Sequence, residues 1–540
     1  MSGGGFFRGV RQKVSGLKPV RVPEAPSRAF RDLWPGDAAR GQRILKGELE
    51  CGGSARPIPE GATGYGPSNG SPAWRAALHG FTWLRDLRAL GTDAARMRAR
   101  DIVADWLSRG STDPVSEVPE VAGARISAWL GHWDFVAATA EDALRKAMMA
   151  RLAADLRALV VGLPSEARHR GALVALKGAL AAGVAVEEEA WITRCIRFLP
   201  QEIERQILPD GSHVERSPIA LLLAIQDLIE IRNLLHGAEI EAPPALALAL
   251  DRAAPALRLF RHGDGGLAAF NGTREEAASL LDLVLTQAQA RGRAPLILPE
   301  GGFQRLQAGR TLVIADCGKP PERGGAAIAG LSRGADRVHH AGTLSFEMSV
   351  GRDRLIVNCG AAPAAEGAWR DAMRATAAHS TLILSETNSS ELTEDGLGRR
   401  PDRVEAERHE AGGAQWLEAF HDGYKRGFGT IHRRRLYLAE SGDDLRGEDL
   451  VEGENTPGFI VRFHLHPGVA ASVQEDGSSV LLRLPSGAGW RLRAGGGRVG
   501  VEESVQLFGE PRRTQQVVVT ADAGTQKIQW AIGRVAPAEG

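Results

Sequence analysis

Tyrosine and cysteine are the residues this chain has least of, and lysine is scarce among its basic side chains. Of its 66 basic side chains only 8 are lysine, leaving 58 arginines. Arginine's planar fork suits carboxylate, phosphate and sulfate groups, although a GC-rich genome produces the same bias with no ligand involved. Tyrosine occurs only as Tyr65, Tyr424 and Tyr437, so any proton transfer through a phenol has three candidates. Cys51, Cys195, Cys317 and Cys359 show no CxxC spacing. That argues against a zinc ribbon and a disulfide scaffold, and the thiols are expected reduced and partly buried. No run of about 18 apolar residues occurs, so no integral membrane segment is expected. Sixty-six acidic residues balance the 66 basic ones, and no global field draws the chain to nucleic acid or to an anionic membrane. Before Glu24 there are five basic residues and no acid. This stretch lacks the apolar core of about 7–15 residues of a signal peptide. A cytoplasmic location and a frayed, solvated terminus follow as expectations.

At 540 residues the chain is too long for one compact core. Residues 1–60 are rich in Gly, Pro and Arg and are expected to wrap over something larger. From Trp74 to about Arg291 the apolar period is helical. Trp83, Leu84, Leu87 and Leu90 recur at helix spacing, as do Ile102, Val103, Trp106 and Leu107. Further helices are expected at Ile126–Leu130, Ala140–Val161, Ala172–Ala182, Glu188–Gln206, Pro218–Leu235, Pro244–Phe260 and Thr273–Ala290. Helices in such number with no strands between them imply a bundle, a solenoid or a toroid. After Pro299-Glu300-Gly301-Gly302 the period changes to that of strands. These are expected at Thr311–Ala315, Ala326–Ala329, Leu344–Val350, Leu355–Asn358, Thr381–Leu384, Ala414–Ala419, Thr430–Ala439, Phe459–Leu465, Val480–Leu484, Gly489–Leu492, Gln516–Thr520 and Lys527–Ile532. Such spacing suggests a large antiparallel sandwich, and the whole reads as α+β by segregation.

Five constellations could carry chemistry. Asp210-Gly-Ser-His-Val-Glu-Arg-Ser-Pro218 precedes a helix, with Ser217 as its cap and Pro218 at its first position; His213 and Glu215 point the same way if the segment is extended. Arg261-His-Gly-Asp-Gly-Gly266, followed by Phe270-Asn271-Gly272, reads as a turn or a ligand loop. His339, His340, Asn358, Arg374 and His379 lie on or beside adjacent strands and mark a candidate active rim. There Leu344, Phe346, Met348 and Val350 alternate with Ser345, Glu347 and Ser349, the period of a half-buried strand. His421-Asp-Gly-Tyr424 leads to His432, and Lys425 and Arg426 beside the phenol would lower its pKa. In Phe459–His466, Arg462, His464 and His466 share what reads as a solvated face; two histidines alone make a weak metal site.

The stretch His340–Gly360, with Trp369-Arg370 to Arg374 and Ala378-His-Ser-Thr381 downstream, resembles the heparinase II/III-like polysaccharide lyases. The segment from Asp210 to Pro218 is similar to a second motif of that family. The resemblance implies an N-terminal arm over 1–60, an incomplete (α/α) toroid over 61–298 and a β-sandwich over 299–540. It also implies β-elimination on a uronate-containing polysaccharide. One group would neutralise the carboxylate, a base would take the C5 proton and an acid would protonate the leaving oxygen. Residues able to serve are His213, His340, His379 and Tyr424 for proton transfer, and Arg216, Asn271, Arg374 and His432 for the substrate. Some members hold a zinc through two histidines and an aspartate; the matching positions here are His340, His379 and Asn358. The chain departs from the family pattern at Val338, a catalytic histidine in some members, at Gly342, where the motif has Asp, at Asn358 and at Ala220, the tyrosine position. An acidic-glycan-binding protein without lyase chemistry is therefore a second expectation. A hydrolase using Glu215 with Asp210 or Asp264 is a third. The family's usual polymeric substrates place it at the cell envelope or periplasm, against the cytoplasmic expectation.

Overall fold

The computed structural model describes residues 22–535 apart from 29, 60–64, 67–68, 366, 455 and 509. The basic stretch at the start of the chain lies outside the described residues. Helix α1 (Ala38–Leu45), capped by Asp37, is followed by the hairpin β1 (Glu48–Cys51) and β2 (Ser54–Pro57). This part of the chain does wrap: the Trp34 indole reaches Glu230 at 2.5 Å, and the Gly52 carbonyl accepts Ala364 N–H at 2.9 Å.

The helical half follows as α2 (Pro72–Gly80), α3 (Leu84–Ala89), α4 (Asp93–Arg109), α5 (Pro119–Gly131), α6 (Trp133–Val136), α7 (Asp142–Val161), α8 (Gly171–Ala185), α9 (Glu189–Gln206), α10 (Pro218–Gly237), α11 (Pro244–Leu259) and α12 (Ala278–Ala288). Proline at the first position and a Ser or Thr cap start several of them, as at Ser71-Pro72, Thr92 and Ser217-Pro218. Helix α8 has no polar face beyond Lys177, and every residue in it is buried. It is the hub against which α5, α7, α9 and α10 pack. Gly123 of α5 and Gly178 of α8 let two backbones touch; a Cβ on Gly178 would lie 2.4 Å from the Gly123 Cα. The last helix begins at Ala278, five residues later than its apolar period suggests, because the 272–277 segment is spent on crossing to the other half.

The sheet half holds β3 (Ile297–Leu298), β4 (Phe303–Ala308), β5 (Thr311–Asp316), β6 (Phe346–Val350), β7 (Asp353–Val357), α13 (Ala368–Arg374), β8 (Leu382–Leu384), β9 (Leu392–Thr393), β10 (Gly396–Leu397), β11 (Val404–Ala411), β12 (Ala414–His421), α14 (Lys425–Phe428), β13 (Ile431–Leu438), β14 (Asp444–Glu452), β15 (Phe459–Leu465), β16 (Ala470–Val473), β17 (Ser479–Arg483), β18 (Gly489–Gly495), β19 (Arg498–Phe508), β20 (Glu510–Ala521) and β21 (Lys527–Arg534). One sheet runs β11-β12-β13-β14-β21-β18-β17-β16, and the other β19-β20-β15-β7-β6-β5-β4-β3 with β8 on β15; the ladders are antiparallel. Between them Phe346 stacks on Trp530 with centroids 5.6 Å apart, and Phe463 meets the same indole edge-on at 5.0 Å. The fold is thus a helical toroid followed by an antiparallel sandwich.

Three expectations change. The segment 326–329 is loop with a single bridge between Ile328 and Leu331. Strand β6 is buried on both faces rather than one, because Ser345, Glu347 and Ser349 face the helical half. His464 is buried instead of solvated, its Nε2 bonded to the Ala377 carbonyl at 2.9 Å and its Nδ1 to Ser504 at 2.8 Å.

Candidate functional site

The two halves meet on the polar face of β6. His262, just after α11, donates from Nε2 to Glu347 at 2.9 Å and accepts the Ser349 hydroxyl on Nδ1 at 2.9 Å. The other Glu347 oxygen accepts the backbone N–H groups of Ala269 and Asn358, at 3.0 and 2.9 Å. Arg354 grips Asp264 with two bonds of 2.8 and 3.1 Å. The glycine-rich 261–266 stretch is therefore a turn bound to β6 and β7, not a ligand loop.

The histidine rim forms a relay whose tautomers are fixed by its ends. His379 Nδ1 donates to the Ala375 carbonyl at 2.7 Å, so its Nε2 is bare. That Nε2 accepts from His340 Nδ1 at 3.0 Å, which leaves His340 Nε2 bare. Gly272 N–H, from the helical half, fills it at 3.1 Å. Both rings are neutral and both are fully used. Burial, then the charge of His379 and Arg374, holds His340 well below the usual imidazole range, and burial lowers His379 to about 4. Gly342 makes room for the relay: a Cβ there would sit 2.6 Å from His379 Cδ2.

Arg216, Asn271 and Arg374 are likewise committed. Arg216 donates to the Gly301 carbonyl at 2.7 Å and to Asp316, and its guanidinium lies 5.0 Å over the Phe303 ring. Asn271 Nδ2 donates to the Arg216 carbonyl at 2.9 Å, and its Oδ1 accepts His340 N–H at 3.3 Å. Arg374 serves the carbonyls of His339, Thr393 and Gly396. Arg216 and Asn271 join the two halves and Arg374 braces the sandwich side of the seam; none is left free to take a carboxylate.

His213 accepts Glu215 N–H on Nδ1 at 3.2 Å, and its Nε2 is buried without a partner among the described residues. Burial lowers it to about 4. Glu215 accepts Arg170 N–H at 2.9 Å and Arg337 Nε at 3.2 Å; Arg337 also reaches Glu120 at 3.2 Å. Burial alone would raise the Glu215 pKa, but Arg337 and the neighbouring rings outweigh it and hold it at about 2. Asp210 caps Ser212 and the Glu300 and Gly301 amides. Glu215, Asp210 and Asp264 thus serve three separate networks, and the carboxylate pair a hydrolase needs is not assembled.

Tyr424 and His432 are corrected most. Both lie in the sandwich interior. The Tyr424 phenol donates to the Leu382 carbonyl at 3.1 Å, and burial pushes its pKa up. Helix α14 turns Lys425 and Arg426 out to solvent, so neither can lower it. His432 stands between His421, at 3.3 Å, and Asp449, at 2.8 Å; Arg434 and Trp530 complete that carboxylate.

The zinc implied by resemblance does not fit these residues. His340 and His379 spend their facing nitrogens on one shared proton, and Asn358 Oδ1 accepts Ser380 N–H at 3.0 Å. Among the described residues no three His, Cys, Asp or Glu side chains gather for a metal.

A cleft of about 690 Å³ lies open along the seam. Asn69–Ala73, Glu120 and Gly272 line it from the helical half. Arg337, Val338, His340, Ala361–Pro363, Arg370 and Arg374 line it from the other. Of the residues singled out in the sequence, His340 and Arg374 reach this cleft; His213, Arg216, Asn271 and His379 are buried and do not line it. Arg337 and Glu120, 217 positions apart, carry no local signal that would have marked them.

A helical toroid set against an antiparallel sandwich, with a cleft along the seam, is the fold that this chain shares with heparinase III. The chain belongs to the heparinase II/III-like family: residues 290–531 match the family description "Heparinase II/III-like, C-terminal". It is 33% identical over 536 residues to FtsZ-localized protein C of Caulobacter vibrioides (strain NA1000 / CB15N), covering 94% of this chain and 90% of that one. Its fold superposes on a crystal structure of heparinase III with a TM-score of 0.76 at 15% identity, over 98% of this chain and 89% of that one. Heparan sulfate lyase HepC from Pedobacter heparinus gives a TM-score of 0.59 at 15% identity, over 100% and 89%.

Proposed function

We propose that this protein binds an acidic glycan in its seam cleft and does not cleave it. The observation that carries this reading is the relay Gly272–His340–His379–Ala375, in which both imidazoles are neutral with every nitrogen engaged. An elimination base needs a free lone pair within reach of the C5 proton, and none of the singled-out histidines presents one to the cleft. None of the three tyrosines lines the cleft either. Arg370 supports binding: among the described residues its guanidinium reaches only the Glu394 carbonyl, at 3.1 Å, and Asp371, at 4.0 Å, and it lines the cleft.

The test uses one sample of full-length protein for two readouts. Oligosaccharides of heparan, hyaluronan, alginate and bacterial acidic exopolysaccharides are titrated by calorimetry, and unsaturated-uronate absorbance is followed after long incubation. Binding without absorbance, weakened at least ten-fold in Arg370→Glu, is the expected result. Turnover on any of these sugars overturns the claim that chemistry is lost; absence of binding across the panel overturns the claim of a glycan site.

We also propose that the chain localises with FtsZ, and so on the cytoplasmic side of the envelope. The name of the Caulobacter relative supports this, at 33% identity over nearly the full chain. Fluorescently tagged protein should follow FtsZ through the cell cycle. A diffuse signal, or an exported protein, contradicts it.

A further inference from the structure

The outer face of the eight-stranded sheet is balanced in charge at one end and unbalanced at the other. Toward β12, arginines and carboxylates pair across strands: Arg433 with Glu418 and Glu452, and Arg435 with Glu418 and Glu448. Toward β17 the pattern fails. Arg483, Arg491 and Arg493 point outward from β17 and β18, opposite to the buried Leu482, Trp490 and Leu492. None of the three has an acidic partner among the described residues, and Arg491 Nε has no hydrogen-bond partner at all there.

These arginines form one wall of a trough. Its floor is β21, whose outward residues at this level are Ala531 and Gly533. Arg493 stands opposite Ala531 on one side and Arg446 on the other, while Arg491 stands opposite Gly533. The walls lie about 10 Å apart, two strand spacings, which is the width of one extended chain. Beyond Arg446 the same cross-strand row continues to Tyr437 and Trp416. The Trp416 ring is 38% exposed and 5.0 Å from Tyr437, and the Arg446 guanidinium lies 5.8 Å from Tyr437. Counting Arg446 with its partner Asp444, the trough keeps a positive excess with an aromatic shoulder.

We propose that this trough docks an extended, acidic segment of a partner polypeptide. Arg491 and Arg493 are two residues apart, so they repeat about every 7 Å on one face of their strand. Side chains on one face of an extended peptide have that same spacing, and arginine pairs with carboxylates two-pronged. Apolar side chains of the peptide rest on Tyr437 and Trp416. Those two rings are tilted by 50° and give no flat platform for a sugar ring, which favours a polypeptide over a glycan.

Fluorescence anisotropy of the full-length protein with a labelled peptide of alternating glutamate and valine tests this, with the lysine–valine peptide as control. The acidic peptide should bind, weaken as salt rises, and lose at least ten-fold in affinity in R491E/R493E. Trp416→Ala should weaken it several-fold. The control R498E/R512E makes the same change in net charge on the other sheet and should stay within two-fold of the parent. Thermal melts establish that each variant is folded. The proposal is overturned if the acidic peptide binds no better than the lysine peptide, or if R491E/R493E binds like the parent. It is equally overturned if R498E/R512E weakens binding as much, or if heparin oligosaccharide alone depends on Arg491 and Arg493.

Discussion

Acid should open the seam between the two halves well before it disturbs the surface. His169, His213 and His379 are each held to about 4, against 6.5 for a free imidazole. Burial is the largest cause in all three; Arg337 adds to it for His169, and Arg170 and Arg337 for His213. The relay shows what protonation would do. A proton added to His340 Nε2 would face Gly272 N–H, and one added to His379 Nε2 would face His340 Nδ1–H. The sign follows directly. These folded-state values lie below the unfolded one, so between about pH 6.5 and 4 the unfolded chain binds more protons. Their contribution is complete above pH 6.5 and is lost as pH falls through that window. Each shift corresponds to roughly 3 kcal/mol, and three such groups give a slope of about 4 kcal/mol per pH unit. Set against a total stability of about 5–15 kcal/mol, this removes a large share of it between about pH 6.5 and 4. Glu215 works in a different window: held at about 2 by Arg337 despite its burial, it loses its contribution only as pH falls from about 4.5 toward 2. Urea midpoints read from tryptophan fluorescence at pH 7.5, 6.5 and 5.5 check the reasoning. Midpoints that agree at all three would refute it, because they would mean that the buried rings are already charged or are solvated.

Gly342→Ala should destabilise by about 2–4 kcal/mol, from overpacking against His379 and loss of the bond to His340; a urea midpoint equal to the parent's would show that the ring has room to move. Arg337→Met strands Glu120 and Glu215, and loss of about 3–5 kcal/mol is expected from the buried carboxylate. Adding Glu215→Gln should recover part of that loss in a melting experiment, whereas an additive double variant contradicts the pairing. Tyr424→Phe should cost about 1 kcal/mol through the Leu382 carbonyl and leave glycan titrations unchanged. A change in glycan affinity would place the phenol at the site after all.

The architecture was legible because the apolar period changes once, near residue 300, and several helices have caps or proline starts that mark their edges. Strands were lost where function or packing interrupts alternation. In β14 the inward positions are Leu445, Gly447, Asp449 and Val451. Gly447 is small because a Cβ would lie 2.0 Å from the Trp530 ring, and Asp449 is the buried acceptor for His432, Arg434 and Trp530. Two of four inward positions therefore read as turn residues. Strand β11 is exposed over most of its length on both faces, so it has no apolar face to read. At the candidate site the expected segments have surroundings other than those the sequence suggested. A polar face on β6 looks like a rim facing solvent until the helical half is known to cover it. Tyr424 has basic neighbours in the chain that the backbone turns away from it. Arg337 and Glu120 meet only after the two halves have closed.

The departures from the family pattern at Gly342 and Asn358 are physically coupled. With an aspartate at either position and no cation, a buried carboxylate would be left without a counter-charge, a cost of several kcal/mol. Gly342 removes one such charge and clears the space that lets His379 reach His340. Asn358 neutralises the other while keeping the oxygen that caps Ser380 N–H, at the expense of one orphaned Nδ2. The donors then run in one direction: Gly272 N–H of the helical half donates to His340, His340 to His379, and His379 to the Ala375 carbonyl of the sandwich. A pair of histidines suited to a cation has become a neutral hydrogen-bonded hinge pin between the two halves. Restoring only one aspartate should therefore be worse than restoring neither. Gly342→Asp alone collides with His379 and buries an unpaired charge; Asn358→Asp alone buries a charge whose one retained bond is to Ser380. Both should melt below the parent, and zinc should rescue the double variant alone if the two positions are the only obstacle. Failure of zinc to raise the melting temperature of the double variant would show that the relay, rather than the missing carboxylates, decides the matter.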